Sequence, residues 1–291
     1  MKNEIKYLYS DLDGTIVSWN PKTEFVYQNK SYKNFHEVSD ATISAFYRLQ
    51  QKGIKVGIVT GRDYCRVLWL EKQLRTGLPT ITLDGAIIFY QNEILSQTYL
   101  DDRFIEGINN IVKRFPEAAY KLNSGWISYF TKNPSVIFEI DYAFLGYFNP
   151  NTKLQKKFID STENWDLNKL KVNQVYFDID TCPLAMQKEI IELISVSDVN
   201  AKIYEHSMYI IKNGVSKASA LQSLNQFAIP ITKDNTIVCG DGDNDIEMMQ
   251  WAKHSVSLIG SNPKCFALAK YHTDSVDNDG IANWIEKNLL C

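Results

Sequence analysis

The chain predicts an α/β protein: a doubly wound parallel-sheet core interrupted by a second, α+β, domain. Three observations carry that expectation. Short apolar strand candidates alternate with helical periods at both ends of the chain, the pattern of a parallel sheet covered on both faces. Polar clusters recur where those strands stop. Between residues 87 and 212 the texture changes to aromatic-rich strands with hairpin connections and intervening helices, which marks an α+β module. At 291 residues the chain is long enough for two domains with separate cores. The expected division is 1–86 with 213–291 for the core and 87–212 for the insert.

The first strand is Lys6-Tyr-Leu-Tyr-Ser10, running straight into Asp11-Leu-Asp-Gly-Thr15. Tyr7, Leu8 and Tyr9 favour extended backbone, and Gly14 suits a chain reversal beside a ligand. Trp19 to Val38 is polar and aromatic without a clear period and reads as a long loop or flap. Asp40 is the expected N-cap of a helix over Ala41 to Gln51, with Ile43, Phe46, Tyr47 and Leu49 on its apolar face. Lys55 to Val59 is a strand ending at Thr60-Gly61-Arg62, with a helix to about Arg75. Thr80 to Leu83 is another, ending at Asp84-Gly85-Ala86.

Ile87 to Tyr90 and Ile94 to Tyr99 flank a Gln91-Asn92-Glu93 turn and predict an antiparallel hairpin that opens the insert. Further strands are expected at Trp126 to Thr131, Val136 to Ile140 and Val172 to Ile179, with helices near Asp102 to Phe115 and Pro183 to Val196. The βα alternation then resumes: a helix over Ser216 to Phe227, and a strand over Thr236 to Cys239 that ends in Gly240-Asp-Gly-Asp-Asn-Asp245. After it come a helix over Ile246 to Ala252, a strand over Val256 to Ile259, and helices over Asn262 to Ala269 and Asp279 to Glu286.

Composition excludes several function classes. The net charge of -3 gives no basic footprint for nucleic acid. No stretch approaches the roughly 20 apolar residues of a membrane span, and Met1 to Ser10 is not a secretory leader, so a cytoplasmic protein with no membrane partner is expected. Five cysteines without a C-x-x-C pair suggest neither a disulfide framework nor a zinc site. The four scattered histidines read as packing or surface residues.

The chemistry lies in the clusters at the strand ends. Asp11 and Asp241, with a backbone carbonyl, are hard oxygen ligands suited to Mg²⁺. Lys217 and the Thr60 hydroxyl could hold phosphate oxygens. Together they supply what phosphoryl transfer requires: a nucleophile, charge neutralisation and a proton shuttle. A calcium loop beginning at Asp241 fails on spacing, because Ile246 and Ala252 stand where Gly and Glu are required.

On these residues the sequence resembles the haloacid dehalogenase superfamily of aspartate-nucleophile phosphohydrolases, with a Rossmann-like core. Asp11-Leu-Asp-Gly-Thr15, Thr60-Gly61, Lys217 and Gly240-Asp-Gly-Asp-Asn-Asp245 match its four motifs in order. The insert resembles the type II cap of the Cof-like sugar-phosphatase branch, as does the phrase Asn278-Asp-Gly-Ile-Ala282. The resemblance implies Asp11 as nucleophile through an aspartyl-phosphate, and Asp13 as general acid and base, its proton affinity raised by partial burial and a neighbouring carboxylate. It implies Mg²⁺ on Asp11, the Asp13 carbonyl and Asp241, with Asp245 as an outer or weak ligand. Thr60, Gly61, Lys217 and Asn244 would bind the phosphoryl group or substrate.

Some features depart from the branch. Asp84 stands where Asn is usual, and Leu258-Ile-Gly-Ser-Asn262 replaces the usual phrase. Arg62 reads as a surface salt-bridging residue. The insert's aromatics, Trp126, Tyr129, Phe130, Phe138, Tyr142, Phe144, Tyr147 and Phe148, read first as core and second as sugar-stacking surfaces. Phe144 to Phe148 is also a candidate dimer patch. The expected function is a Mg²⁺-dependent phosphatase acting on a small phosphorylated metabolite such as a sugar phosphate, as a monomer or homodimer. A phosphohexomutase using the same site is the alternative, followed by a catalytically silent sensor.

Overall fold

Five short strands form a parallel sheet in the order Tyr271–Thr273, His254–Leu258, Thr236–Cys239, Tyr7–Ser10, Lys55–Ile58. The three central members are buried at every position, because helices cover both faces. Register decides where the chemistry falls. Ser10 pairs with Cys239 on one side and with Ile58 on the other. The three strands therefore end together, and Asp11, Gly240 and Val59 leave the sheet at one rim.

The computed structural model describes residues 4–34, 36–131, 143, 155–159 and 167–291. It divides into two units, one of Met1–Arg62, Arg66–Leu95 and Ser216–Cys291, the other of Asp63–Cys65 and Ser96–Val215. Apart from Asp63–Cys65, the second unit begins at Ser96 and not directly after Ala86. The strand Ile87–Tyr90 pairs antiparallel with Thr80–Thr82, and Val59 bridges Ile81 in parallel, so the hairpin extends the core instead of opening the insert. Its turn is Gln91-Asn92 alone, both at positive φ, the twist-matched two-residue connection. Glu93 begins the next strand, Glu93–Gln97.

Two local expectations are corrected in this unit. The helix Asp40–Gln51 is capped by Ser39, whose hydroxyl accepts the Thr42 N–H. Its buried stripe is Thr42, Ala45, Phe46 and Leu49, while Tyr47 lies exposed beneath the Arg75 guanidinium. The supposed flap contains an antiparallel hairpin of Glu24–Tyr27 and Lys30–Lys33, turned at Gln28 and Asn29 with positive φ. Phe25 stacks on Tyr32 with ring centroids 5.4 Å apart, a cross-strand pair typical of such ribbons.

The second unit is an α+β module. Its sheet order is Gln155–Ile159, Ile127–Thr131, Tyr120–Ser124, Gln174–Asp178, Ser207–Lys212, Val199–Ile203. Alternation sorts the side chains: Leu122, Val175, Phe177, Met208 and Ile210 pack with Phe104, Ile105 and Ile108 of helix Asp102–Val112 and with Met186 and Ile190 of helix Leu184–Ser195. Tyr176 and Phe130 cluster with Ala119. Of the insert's aromatics, Tyr129 and Phe130 are buried, as a core role requires. The expected strand at 136–140, the residues Phe138, Tyr142, Phe144, Tyr147 and Phe148, and the patch 144–148 lie outside the described residues. Among the described residues no helix is long and apolar enough to cross a membrane.

Gly57 shows how tightly the sheet is packed. A Cβ there would sit 2.4 Å from the ring of the fully buried Tyr9, whose hydroxyl donates to Pro79 O at 3.1 Å. Gly57→Ala should therefore destabilise the protein by about 1–3 kcal/mol, measured as a lowered denaturation midpoint; an unchanged midpoint would show that Tyr9 can move aside.

Candidate active site

The N–H of Asp11 continues the first strand by donating to Cys239 O at 2.9 Å, and its side chain is buried. Lys217 begins the helix Lys217–Ser223. Its N-cap Ser216 and Ser219 exchange hydrogen bonds in a capping box, which fixes where that first residue points. The Lys217 ammonium, wholly buried, lies 2.7 Å from Asp11 Oδ1 and 2.7 Å from Asp245 Oδ1. The other oxygen of Asp245 accepts the N–H groups of Asp241 and Gly242, each at 2.9 Å. Asp245 therefore braces the loop and anchors the ammonium at once.

Asp241 is enclosed by the turn after the first strand. Gly14 has φ 76°, and a Cβ there would lie 2.2 Å from Asp241 Oδ2, so only glycine permits the approach. Thr15 Oγ1 donates to Asp241 Oδ1 at 2.8 Å. Oxygens of Asp11, Asp241 and Asp245 all lie within 4.8 Å of one another. Burial, followed by the charge of Asp245, pushes Asp241 up to about 7. Burial also raises Asp11, against the opposing pull of Lys217. Crowded carboxylates that resist ionisation together are the donor set a hard divalent cation satisfies, so the residues present fit Mg²⁺. Asp245, with its oxygens engaged by Lys217 and two backbone amides, is less able to serve as a direct ligand than Asp11 or Asp241.

Asp13 has a different environment from the one anticipated. Arg62 is buried, not a surface residue. Its Nε donates to Asp13 Oδ2 at 2.7 Å and its Nη2 to Oδ1 at 2.5 Å, a bidentate fork. Burial would raise the Asp13 carboxyl, but Arg62 outweighs it and holds the group below the usual carboxylate range. Lys217 shows the complementary balance. Burial would depress it, and Asp11, Asp245 and Asp84 more than compensate, so the ammonium stays protonated.

Thr60, Gly61 and Asn244 come to the same rim. Thr60 is buried, and its hydroxyl oxygen accepts the Arg62 N–H at 3.2 Å. A Cβ on Gly61 would lie 3.2 Å from Asp84 Oδ1 and 3.6 Å from Asn244 Nδ2. Asn244 Nδ2 donates to Asp84 Oδ1 at 2.8 Å. Every residue expected at the site on chemical grounds thus belongs to one unit. Sequence reasoning left out Thr15 and misplaced Arg62. For Thr15 a signal existed, since it ends the same short motif as the two aspartates; for Arg62 only the fold shows that the strand end turns it inward.

The model for haloacid dehalogenase-like hydrolases matches residues 8–285. A Mycoplasma pneumoniae protein named "Putative phosphatase" is 66% identical over 292 residues, covering 100% of each chain. A Bacillus subtilis 5-amino-6-(5-phospho-D-ribitylamino)uracil phosphatase is 23% identical over 288 residues, covering 95% of each. Among solved structures, the HAD subclass IIB sugar phosphatase BT4131 superposes with a TM-score of 0.74 at 21% identity, covering 97% of this chain and 98% of that one; a likeness at this identity speaks for the fold. With the family model spanning nearly the whole chain and a relative of such identity along its full length, the chain belongs to the haloacid dehalogenase-like hydrolase family.

Proposed function

We propose that this enzyme, a phosphatase of that family, hydrolyses a small phosphomonoester by way of a phosphorylated Asp11, with Mg²⁺ as its metal. The observation that carries the reading is the buried Lys217, held between Asp11 and Asp245 beside the acidic group that includes Asp241. A nucleophilic carboxylate, a fixed cation and a hard-metal donor set in one place are the parts that phosphoryl transfer needs.

In the first half-reaction an Asp11 oxygen attacks phosphorus and the bond to the leaving oxygen breaks. Asp13 donates a proton to that oxygen, releasing the alcohol. In the second, the Asp13 carboxylate takes a proton from water as the water oxygen attacks phosphorus, and the Asp11–phosphorus bond breaks to release phosphate. Asp11, Asp241 and the Asp13 carbonyl would hold Mg²⁺, whose contribution is to neutralise charge on the phosphoryl oxygens. Asn244, Thr60 and the Gly61 backbone orient the phosphoryl group, and Lys217 screens it from Asp11.

Residues 87–212 were expected to form a cap that selects substrate, and we propose that role for the α+β unit. The named activities of the relatives, on a phosphoribitylamino-uracil and on sugar phosphates, support a phosphorylated sugar or sugar-like metabolite as the substrate class.

Chelation should abolish release of phosphate from 4-nitrophenyl phosphate, and added Mg²⁺ should restore it; Asp11→Asn should lower turnover by at least roughly 1000-fold with the fold intact by circular dichroism. Equal rates for the variant and the wild type would exclude Asp11 as nucleophile. Thr15→Val should raise the Mg²⁺ concentration needed for half-maximal activity by roughly 10- to 100-fold, because it removes the hydrogen bond that aims Asp241. Removing Arg62 should act through pH. With Asp13 no longer held low, its carboxyl pKa rises and it retains the leaving-group proton to higher pH. The alkaline limb of kcat in Arg62→Met should move upward, and a limb that stays in place would separate Asp13 from the proton transfer.

A further inference from the structure

We propose that Asp84 is a positioning residue, setting the orientation of the Asn244 carboxamide at the phosphoryl site. This rests on the phosphatase reading and adds to it a group that the motif pattern does not include. The strand Thr80–Thr82 ends in a turn where Leu83, Asp84 and Gly85 all have positive φ. The turn is tied to the neighbouring strand end: Leu83 N–H donates to Arg62 O and Asp84 N–H to Thr60 O, both at 3.0 Å. On the other side a Cβ at Gly85 would come within 2.4 Å of Ser216 O, the residue that caps the Lys217 helix. The turn is thus wedged between two parts of the site and delivers a buried carboxylate to Asn244.

Chemistry gives the contact a direction. A carboxylate accepts hydrogen bonds and has no N–H to offer, so the end of Asn244 that faces Asp84 must be Nδ2. The carboxamide oxygen is then turned toward Gly242, where a Cβ would lie 2.7 Å from it. One Nδ2 hydrogen is committed to Asp84, and the second remains for a phosphoryl oxygen. Were the carboxamide to flip, its oxygen would face the phosphate as a second acceptor, and the contact would become repulsive. A neutral amide at position 84 can accept or donate, so it allows both orientations; the carboxylate allows one.

The location argues that this role is specific. Negative charge next to a site that receives a phosphate dianion is unfavourable in itself, and the Asp84 charge is offset by Lys217, whose close partners are Asp11 and Asp245. What Asp84 adds for Asn244 is a directional acceptor for Nδ2.

The test is a double-mutant cycle on 4-nitrophenyl phosphate hydrolysis, with inorganic phosphate as a separate binding probe and circular dichroism and Tm as controls for folding. Asp84→Ala should lower kcat/KM by about 10- to 100-fold and weaken protection by inorganic phosphate in parallel. In an Asn244→Ala background the same change should have almost no further effect, and Asp84→Asn should recover only part of the loss, since its oxygen can still accept but its amide no longer excludes the flipped orientation. Additive losses, an Asp84→Ala enzyme equal to wild type, or an Asp84→Asn enzyme as poor as Asp84→Ala would each overturn the assignment. Phosphate binding that follows the expected order in a protein without turnover would sink the phosphatase reading and leave this inference standing. Robust turnover with no response to Asp84→Ala would do the reverse.

Discussion

The buried ammonium of Lys217 is the constraint on which the site depends. It has no exposure to solvent and touches a carboxylate from each of two different strand ends, Asp11 after the first strand and Asp245 after Thr236–Cys239. A charge so buried is tolerable only if it is paired and its geometry is fixed. Fixing it requires the capping box at Ser216 and Ser219, the register that ends the strands together, and the two backbone amides that Asp245 accepts. Losing one partner of such a pair costs about 3–5 kcal/mol, so fold and site are stabilised by the same contacts. Residues 11, 217 and 245, remote in sequence, are thereby held in a single arrangement.

The two aspartates of the first turn are separated by their counter-charges. Asp11 faces a single ammonium that it shares with Asp245 and lies within an acidic group, so burial and repulsion raise it. Asp13 has a guanidinium of its own, gripping both oxygens, and is lowered. Alternation along an extended chain starts the divergence, since neighbours two apart need not stay on one face once the strand gives way to a turn. Gly14 completes it by letting the turn close on Asp241. For the proposed proton transfer, the Arg62 fork favours the carboxylate form of Asp13, the form the second half-reaction would use. The proposed acid role would require that the fork loosen when the leaving oxygen arrives.

Much of this was legible in the chain. The parallel core, its strand ends and the joint appearance of Asp11, Thr60, Lys217, Asp241 and Asn244 at one rim follow from short apolar runs that stop at polar clusters, because both the period and the stop signal are local. The residues that were misread depend on nonlocal geometry. Arg62 looks like any surface arginine until the Val59–Ile81 bridge and the adjoining turn direct it to Asp13. The Glu24–Tyr27 hairpin was hidden because its exposed Val26 and its lysines blur the alternation that marks a strand. The hairpin at 87–97 was assigned to the wrong unit because antiparallel pairing suggests a new module, whereas here it extends the core through Thr80–Thr82.

The charge balance of the rim connects these observations to binding. Asp11, Asp13, Asp84, Asp241 and Asp245 outnumber Lys217 and Arg62, and each of the two cations is already engaged by carboxylates. A phosphate dianion entering that field alone would meet net repulsion, and a divalent cation bound first would reduce that repulsion. Each ligand therefore improves the site for the other, and by linkage the gain must be equal in both directions. On the proposed function, metal and phosphoryl group would be joint ligands of one acidic cluster, and the specificity for phosphate would begin with the repulsion that the pair removes together.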